Sequence, residues 1–282
     1  MKVTKFNDAT NFLETALTYL EEYEAVNGLM LGLAFRLSQS APRRRNRPFL
    51  AVMEDGGELV GAAVMTPPRK MILYSHLLDC QPVVQALWDT LQGSRWSVPG
   101  VLGPAPVADA WAELWREENG RPPQPGMRQR VFELRQVQPL TLPPGQLRLA
   151  MADDFELMVG WVQAFHEDAN IRDDLDSAEL LARGKMQNED LFLWENEAGE
   201  PVSMAAKSRP TRRGISVSLV YTPAELRGRG YATACVATLS QQLLAEGYQF
   251  CTLFTDLSNP VSNHIYEKIG YTAVADFHEY YF

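Results

Sequence analysis

Cysteine and histidine are scarce: the 282 residues hold 3 of the first and 4 of the second. Cys80, Cys235 and Cys251 are odd in number, lack metal-ligand spacing and each lie in an apolar run. That pattern argues against a disulfide framework and a metal centre, and leaves three buried thiols as the expectation. Long apolar runs are missing too. No stretch reaches the roughly 20 apolar residues that a membrane span needs, and Met1 to Asp8 lacks the apolar core of a secretory signal. The expectation is a soluble, cytoplasmic protein with no membrane partner. Basic residues fall short of acidic ones, 26 against 35, for a net charge of -9. This balance argues against a general nucleic-acid surface, so no nucleic-acid partner is expected, and it suits a cationic partner such as an amine. One basic cluster, Arg43, Arg44, Arg45 and Arg47, sits between Pro42 and Pro48 and reads as a solvated loop.

Apolar residues are plentiful, at 46% of the chain, and the length suits two domains better than one. Pro139, Pro143, Pro144 and Gly145 crowd a segment that can neither continue a helix nor hold a central strand. The expected domains are therefore 1–143 and 144–282. In the second, Leu147 to Leu149 alternates like a strand, and Asp153 with Glu156 reads as a capping box for a helix bearing Phe155, Val159, Val162 and Phe165. A further helix is expected over 177–187. Strands follow at 191–194, 202–207 and 215–221, then a helix over 232–244, a buried strand at 250–255 and a last helix and strand. The first half repeats much of this order, with helices at Phe12 to Leu20 and 25–37, strands at 49–53, 59–65 and 71–76, and a helix at 83–91. The expected class is α/β of the α+β kind, each domain a mixed, mostly antiparallel central sheet flanked by helices.

Between the strand 215–221 and the helix 232–244 lies Arg227-Gly228-Arg229-Gly230-Tyr231-Ala232. Glycines let the backbone turn tightly, and the first free N–H groups of the helix, at the positive end of its dipole, favour an anion. A phosphate loop is expected. The spacing fits neither the P-loop nor the dinucleotide fingerprint, since Gly228 and Gly230 are followed by Thr233 where a third glycine would stand. Downstream come Asn259-Pro260-Val261-Ser262, Tyr266 and the pair Gly270-Tyr271. The loop and this second motif resemble the acyl-coenzyme A motifs of the GNAT superfamily of N-acetyltransferases, over roughly 145–282. The resemblance implies two GNAT-like domains, the N-terminal copy degenerate. There Cys80-Gln81-Pro82 stands at the glycine-loop junction, and laying Ala105-Pro106-Val107 on Asn259-Pro260-Val261 puts Ala105 and Ala112 under Asn259 and Tyr266.

The resemblance also implies roles. Leu219, Val220 and Thr222 would present backbone groups to the pantetheine and acetyl arm. Arg227, Gly228, Arg229, Gly230, Tyr231, Ala232 and Thr233 would cradle the pyrophosphate, while Asn259 and Ser262 would hold the pantetheine. Tyr266 matches the family's general acid for the departing thiolate, a role that a phenol with an ordinary pKa near about 10 suits. The strand 215–221 lacks a carboxylate, so Glu167 is the candidate base, with His166 beside it and Asp168 and Asp173 close in sequence; a water chain to solvent is the alternative. His264 and His278 read as surface residues. The implied activity is acetyl transfer from acetyl-CoA to a small-molecule or peptide amine in a ternary complex, without a metal, by a monomer or homodimer. A non-catalytic acyl-CoA sensor is the rival, and aminoacyl transfer from a charged transfer RNA a third reading.

Overall fold

The computed structural model describes residues 1–39, 47–94, 96–169 and 177–282. Arg43, Arg44 and Arg45 of the basic cluster lie outside the described residues, as does Asp173; Arg47 is exposed. The first ten elements are β1 (Lys2–Phe6), α1 (Ala9–Glu21), α2 (Glu24–Ser38), β2 (Phe49–Asp55), β3 (Glu58–Met65), β4 (Met71–Ser75), α3 (Gln81–Leu91), β5 (Gly100–Pro104), α4 (Ala105–Asn119) and β6 (Gln124–Leu134). The same order then recurs as β7 (Gln146–Leu149), α5 (Phe155–Asp168), α6 (Ala178–Gln187), β8 (Leu191–Glu195), β9 (Pro201–Ser208), β10 (Gly214–Tyr221), α7 (Tyr231–Ala245), β11 (Phe250–Asp256), α8 (Pro260–Ile269) and β12 (Thr272–Tyr281).

Two compact units result, Met1–Val131 with Ala273–Phe282, and Phe132–Thr272. The division does not follow the proline-rich segment. That segment is irregular, as its prolines require, but Leu140 and Leu142 pack on the second unit's core. The reason lies in the last strand: β12 joins the first unit, antiparallel to β5 from Phe277 opposite Pro104 to Tyr281 opposite Gly100. In that unit the strand order is β1-β2-β3-β4-β5-β12-β6, with β4 and β5 parallel. Its face toward α3 and α4 buries Met53, Leu73, Val84 and Trp111, and its face toward α1 and α2 buries Phe12, Leu31, Leu50 and Val64. His278, expected at the surface, is mostly covered and sits 2.6 Å from the Asp109 carboxylate.

In the second unit the end of β6 is followed by β11, β10, β9, β8 and β7. Val217, Ala234, Cys235, Leu239, Leu253, Tyr266 and Tyr271 close the face under α7 and α8. Met158, Val162, Ala182, Leu193, Met204 and Leu219 close the face under α5 and α6. All three thiols are free and buried. The N-terminus of α5 departs from expectation: Asp154, not Asp153, turns back to accept the Met151 N–H at 2.7 Å, because Arg148 on β7 holds its carboxylate at 2.6 and 3.0 Å. Ser177 caps α6 by accepting the Leu180 N–H at 3.2 Å.

Candidate coenzyme site

Strands β10 and β11 are parallel neighbours only at their start, Gly214 opposite Phe250, Ile215 opposite Cys251 and Ser216 opposite Thr252. Beyond that, β10 runs on to Tyr221 and β11 to Asp256 without a paired register. On its other edge β10 slips against β9, with Ser218 opposite Ala206 but Tyr221 opposite Met204. The slip is a bulge at Leu219, which holds φ at 51° although it carries a side chain. Such a conformation costs about 1–3 kcal/mol, offset here by burial of the Leu219 side chain with Met204 and Ala206. Diverging carboxyl ends of parallel strands form the crevice in which open sheets bind ligands.

Past β10 the chain is pinned before it turns. Ser203 bonds the Thr222 hydroxyl at 2.9 Å and the Tyr221 carbonyl at 3.0 Å, and Pro223 is buried. Arg227 donates from Nε to the Thr222 carbonyl at 2.9 Å, pairs with the Asp168 carboxylate of α5 and lies over the Tyr221 ring. Arg229 donates to the Glu225 carbonyl at 3.2 Å. Both arginines thus brace the loop. Gly228 and Gly230 take φ of 77° and 82°, a region costly for other residues. The first helical bond runs from the Ala234 N–H to the Gly230 carbonyl at 3.0 Å. Ahead of it the amides of Gly228, Arg229, Gly230, Tyr231, Ala232 and Thr233 have no partner among the described residues. Six unpaired donors at a helix N-terminus are an arrangement that favours an anion.

Helix α8 packs beside α7. Asn259 caps it, its side chain accepting the Ser262 N–H at 3.1 Å, with Pro260 in the first turn. Tyr266 is buried, its ring 6.3 Å from Phe132 and 6.0 Å from Tyr271. Burial pushes its phenol up to about 12, and its hydroxyl finds no partner among the described residues. Asn263, which the sequence did not single out, lies between them with its carbonyl oxygen Oδ1 buried and unpaired. Residues 259, 263 and 266 fall at helical spacings that share one face, so a cap, an unpaired acceptor and an unpaired phenol line one stripe.

Carboxylates are arranged differently from expectation. Glu167 is exposed and, among the described residues, accepts from Gln163 on its own helix at 3.2 Å, while Asp168 is the α5 carboxylate tied to the loop through Arg227. His166 lies beside the Phe165 ring. His264 is exposed. Among the described residues no three His, Cys, Asp or Glu side chains cluster as metal ligands, and no helix is long and apolar enough to cross a membrane.

The corresponding junction of the first unit is built differently among the described residues. Its junction between β4 and α3 has Cys80 at the helix cap with no capping bond and Pro82 in the first turn, where an N–H is lost. Counted from the helix start, the residue matching Tyr266 is Trp111 and not Ala112, and Pro104 stands where Asn259 caps, because α4 begins one residue earlier than the motif alignment implies. Neither can cap or protonate.

Residues 198–282 match the family model described as FR47-like protein. An acetyltransferase of Photorhabdus laumondii is 28% identical over 127 residues, covering 45% of this chain and 85% of its own length. Among solved structures, a GCN5-related N-acetyltransferase from Sphaerobacter thermophilus superposes with a TM-score of 0.65 at 15% identity, covering 99% of this chain and 94% of that one. A tandem GNAT protein from the clavulanic acid biosynthesis pathway gives 0.53 at 11% identity, over 99% and 98% of the two chains. The glycine-loop topology and these likenesses together give the chain the fold of the GCN5-related N-acetyltransferases, with the match to the FR47-like model confined to 198–282.

Proposed function

We propose that this chain is an N-acetyltransferase that moves an acetyl group from acetyl-CoA to a primary amine by direct attack in a ternary complex. The observation that carries the reading is the row of unpaired amides from Gly228 to Thr233, set where β10 parts from β11. The Photorhabdus relative and the Sphaerobacter structure bear acetyltransferase names, which agrees with it. The donor set fits a pyrophosphate, and the unpaired Asn263 oxygen and Tyr266 hydroxyl fit the amides and the sulfur of a pantetheine.

Acetyl-CoA supplies a thioester whose acyl carbon accepts the amine and whose thiolate departs. The loop amides bind the diphosphate, with Arg227 and Arg229 holding the loop in shape. Backbone groups of Leu219, Val220 and Thr222 orient the arm, and an N–H freed by the bulge polarises the acyl oxygen. Asn259 keeps its side-chain NH2 group for the pantetheine while its oxygen caps α8, and Ser262 lies beside it. Tyr266, held protonated by burial, gives its proton to the sulfur. The amine loses its proton to Glu167 or through water to solvent. The first unit is a degenerate copy whose role is packing or enclosure, so one active site serves each chain, in a monomer or homodimer. Acetyl-CoA should raise the melting temperature, and amines should release coenzyme A in its presence. Stabilisation without release from any amine would instead favour a non-catalytic acyl-CoA sensor; no stabilisation would refute both.

A further inference from the structure

Ile215 and Val217 of β10 point into the core under α7, so by alternation Ser216 and Ser218 lie on the face toward α5 and α6. Ser216 is buried and bonds the Thr252 hydroxyl at 2.8 Å, where the register with β11 ends. Ser218 comes next, one residue before the bulge at Leu219. From Gly214 to Leu219 it alone is not buried, so solvent reaches the strand here. Its Oγ lies 2.6 Å from Ser208 Oγ on β9, a diagonal neighbour in the register, and Ser208 Oγ lies 2.9 Å from Nζ of Lys185 in the last turn of α6. The Ala206 carbonyl, at 3.5 Å, is too far to compete for the Ser218 proton. Nζ has two further partners, the Lys207 carbonyl at 2.6 Å and the Asp190 carboxylate at 3.3 Å. Both only accept. A proton therefore passes to Nζ from Ser208 and from neither of the others. Lys185 is mostly covered, with 15% of its side chain exposed against 23% for Asp190. Burial lowers its pKa, as do the nearby Lys207 and Arg209 charges, while Asp190 raises it. Desolvation is what turns a lysine into a base.

Strand β10 carries no carboxylate, and Glu167 is exposed. We propose that the acceptor amine sheds its proton through Ser218 and Ser208 to Lys185. Ser218 Oγ takes the proton from the amine nitrogen as its own proton passes to Ser208 Oγ, and the Ser208 proton passes to Nζ, which goes from NH2 to NH3+. The freed lone pair forms the bond to the acyl carbon while the carbon–sulfur bond breaks and the thiolate takes the Tyr266 proton. Asp190, the more exposed of the pair, then hands the Nζ proton on to solvent. Ser218 meets the substrate; Ser208 and Lys185 act through it. This rests on the acetyltransferase reading above and supplies the proton acceptor that β10 itself lacks.

The test follows coenzyme A release from ethylamine at saturating acetyl-CoA, from pH about 6 to pH about 10, by wild type, Ser218→Ala and Lys185→Arg, with the melting-temperature shift by acetyl-CoA recorded for each. Arginine keeps the cation and its donors but accepts no proton. At neutral pH both variants should fall by about a hundred-fold or more in kcat/KM for ethylamine. The deficit should shrink as pH rises, because the amine then arrives already deprotonated. All three proteins should keep the acetyl-CoA shift. A deficit that stays constant across pH, which is what a purely structural role gives, would overturn the relay and leave coenzyme binding standing. So would a wild-type rate in either variant at neutral pH, or no release by wild type despite an intact shift. Absence of the shift in wild type would overturn the parent reading and this one with it.

Discussion

Gly230 offers a perturbation whose two effects have opposite order. Its φ of 82° is costly for any residue with a side chain, by about 1–2 kcal/mol. Space is not at issue, since an added Cβ would meet only Pro143, at ordinary contact distances of 3.6 and 3.8 Å. Gly230→Ala and Gly230→Asp should therefore lose similar stability, lowering the melting temperature by roughly 2–4 °C per kcal/mol. A carboxylate at the N-terminus of α7 recovers about 0.3–1 kcal/mol from the helix dipole. Without ligand, Gly230→Asp should melt at or slightly above Gly230→Ala. With acetyl-CoA the order should reverse, because on the proposed reading the same carboxylate would stand where the six unpaired amides would receive a diphosphate. At about a hundred times the dissociation constant, acetyl-CoA should add about 2.7 kcal/mol to wild type, a reduced amount to Gly230→Ala and nothing to Gly230→Asp. Differential scanning fluorimetry with and without acetyl-CoA reads all six values. A Gly230→Asp protein stabilised as much as Gly230→Ala would refute the assignment of this loop to a phosphate group.

Tyr266→Phe should lower kcat by about a hundred-fold or more, the usual worth of a positioned acid, while keeping the acetyl-CoA shift and the melting temperature, since the lost hydroxyl has no protein partner to orphan; an unchanged kcat would remove Tyr266 from the chemistry. Asp154→Asn tests the turn that leads into α5 through pH. The Arg148 hydrogen bond, against some desolvation, holds the Asp154 carboxyl below the usual carboxylate range. A depressed folded pKa gives stability that is fully present above the unfolded value of about 3.9 and is lost as pH falls through the folded one. Asp154→Asn should thus cost about 1.5–3 kcal/mol in urea unfolding at pH 7, with the gap closing below pH about 4; a gap that persists there would show that shape, not charge, makes the turn.

Local order was legible because each element carries its own signal. Ser177 announces α6, Asn259 with Pro260 announces α8, and the glycine loop announces α7. The short strands β1 and β5 and the long β6 carry no equally sharp signal, and the partner of β12 could not be read at all. Alternation tells which face of a strand is buried, but not which neighbour it joins, so a final strand that crosses to β5 looks the same as one that stays at home. The site divides the same way. Loop and cap residues sit at fixed offsets and can be found by spacing, whereas the bulge at Leu219, the Arg227 to Asp168 tie and the buried oxygen of Asn263 arise from tertiary contacts.

The two halves show which part of the design is cheap to keep. Both run through the same order of strands and helices, and both place a parallel pair, β4 with β5 and β10 with β11, where a site could open. Burial of Phe12, Leu50 and Trp111 maintains the first arrangement whether or not anything binds there. Anion binding, by contrast, depends on amides left unpaired and on backbone held at positive φ, which stabilise nothing until a ligand arrives. Pro82 in the first turn of α3 removes one such amide, and the Cys80 cap at φ -90° relaxes the turn into an ordinary helical conformation. Substitutions of this kind lower the free energy of the empty protein, so a copy without selection for binding drifts toward them. By the same reasoning, restoring glycines at Cys80 and Gln81 alone would not recreate a site, because Pro82, Pro104 and Trp111 would still deny it the amide, the cap and the acid.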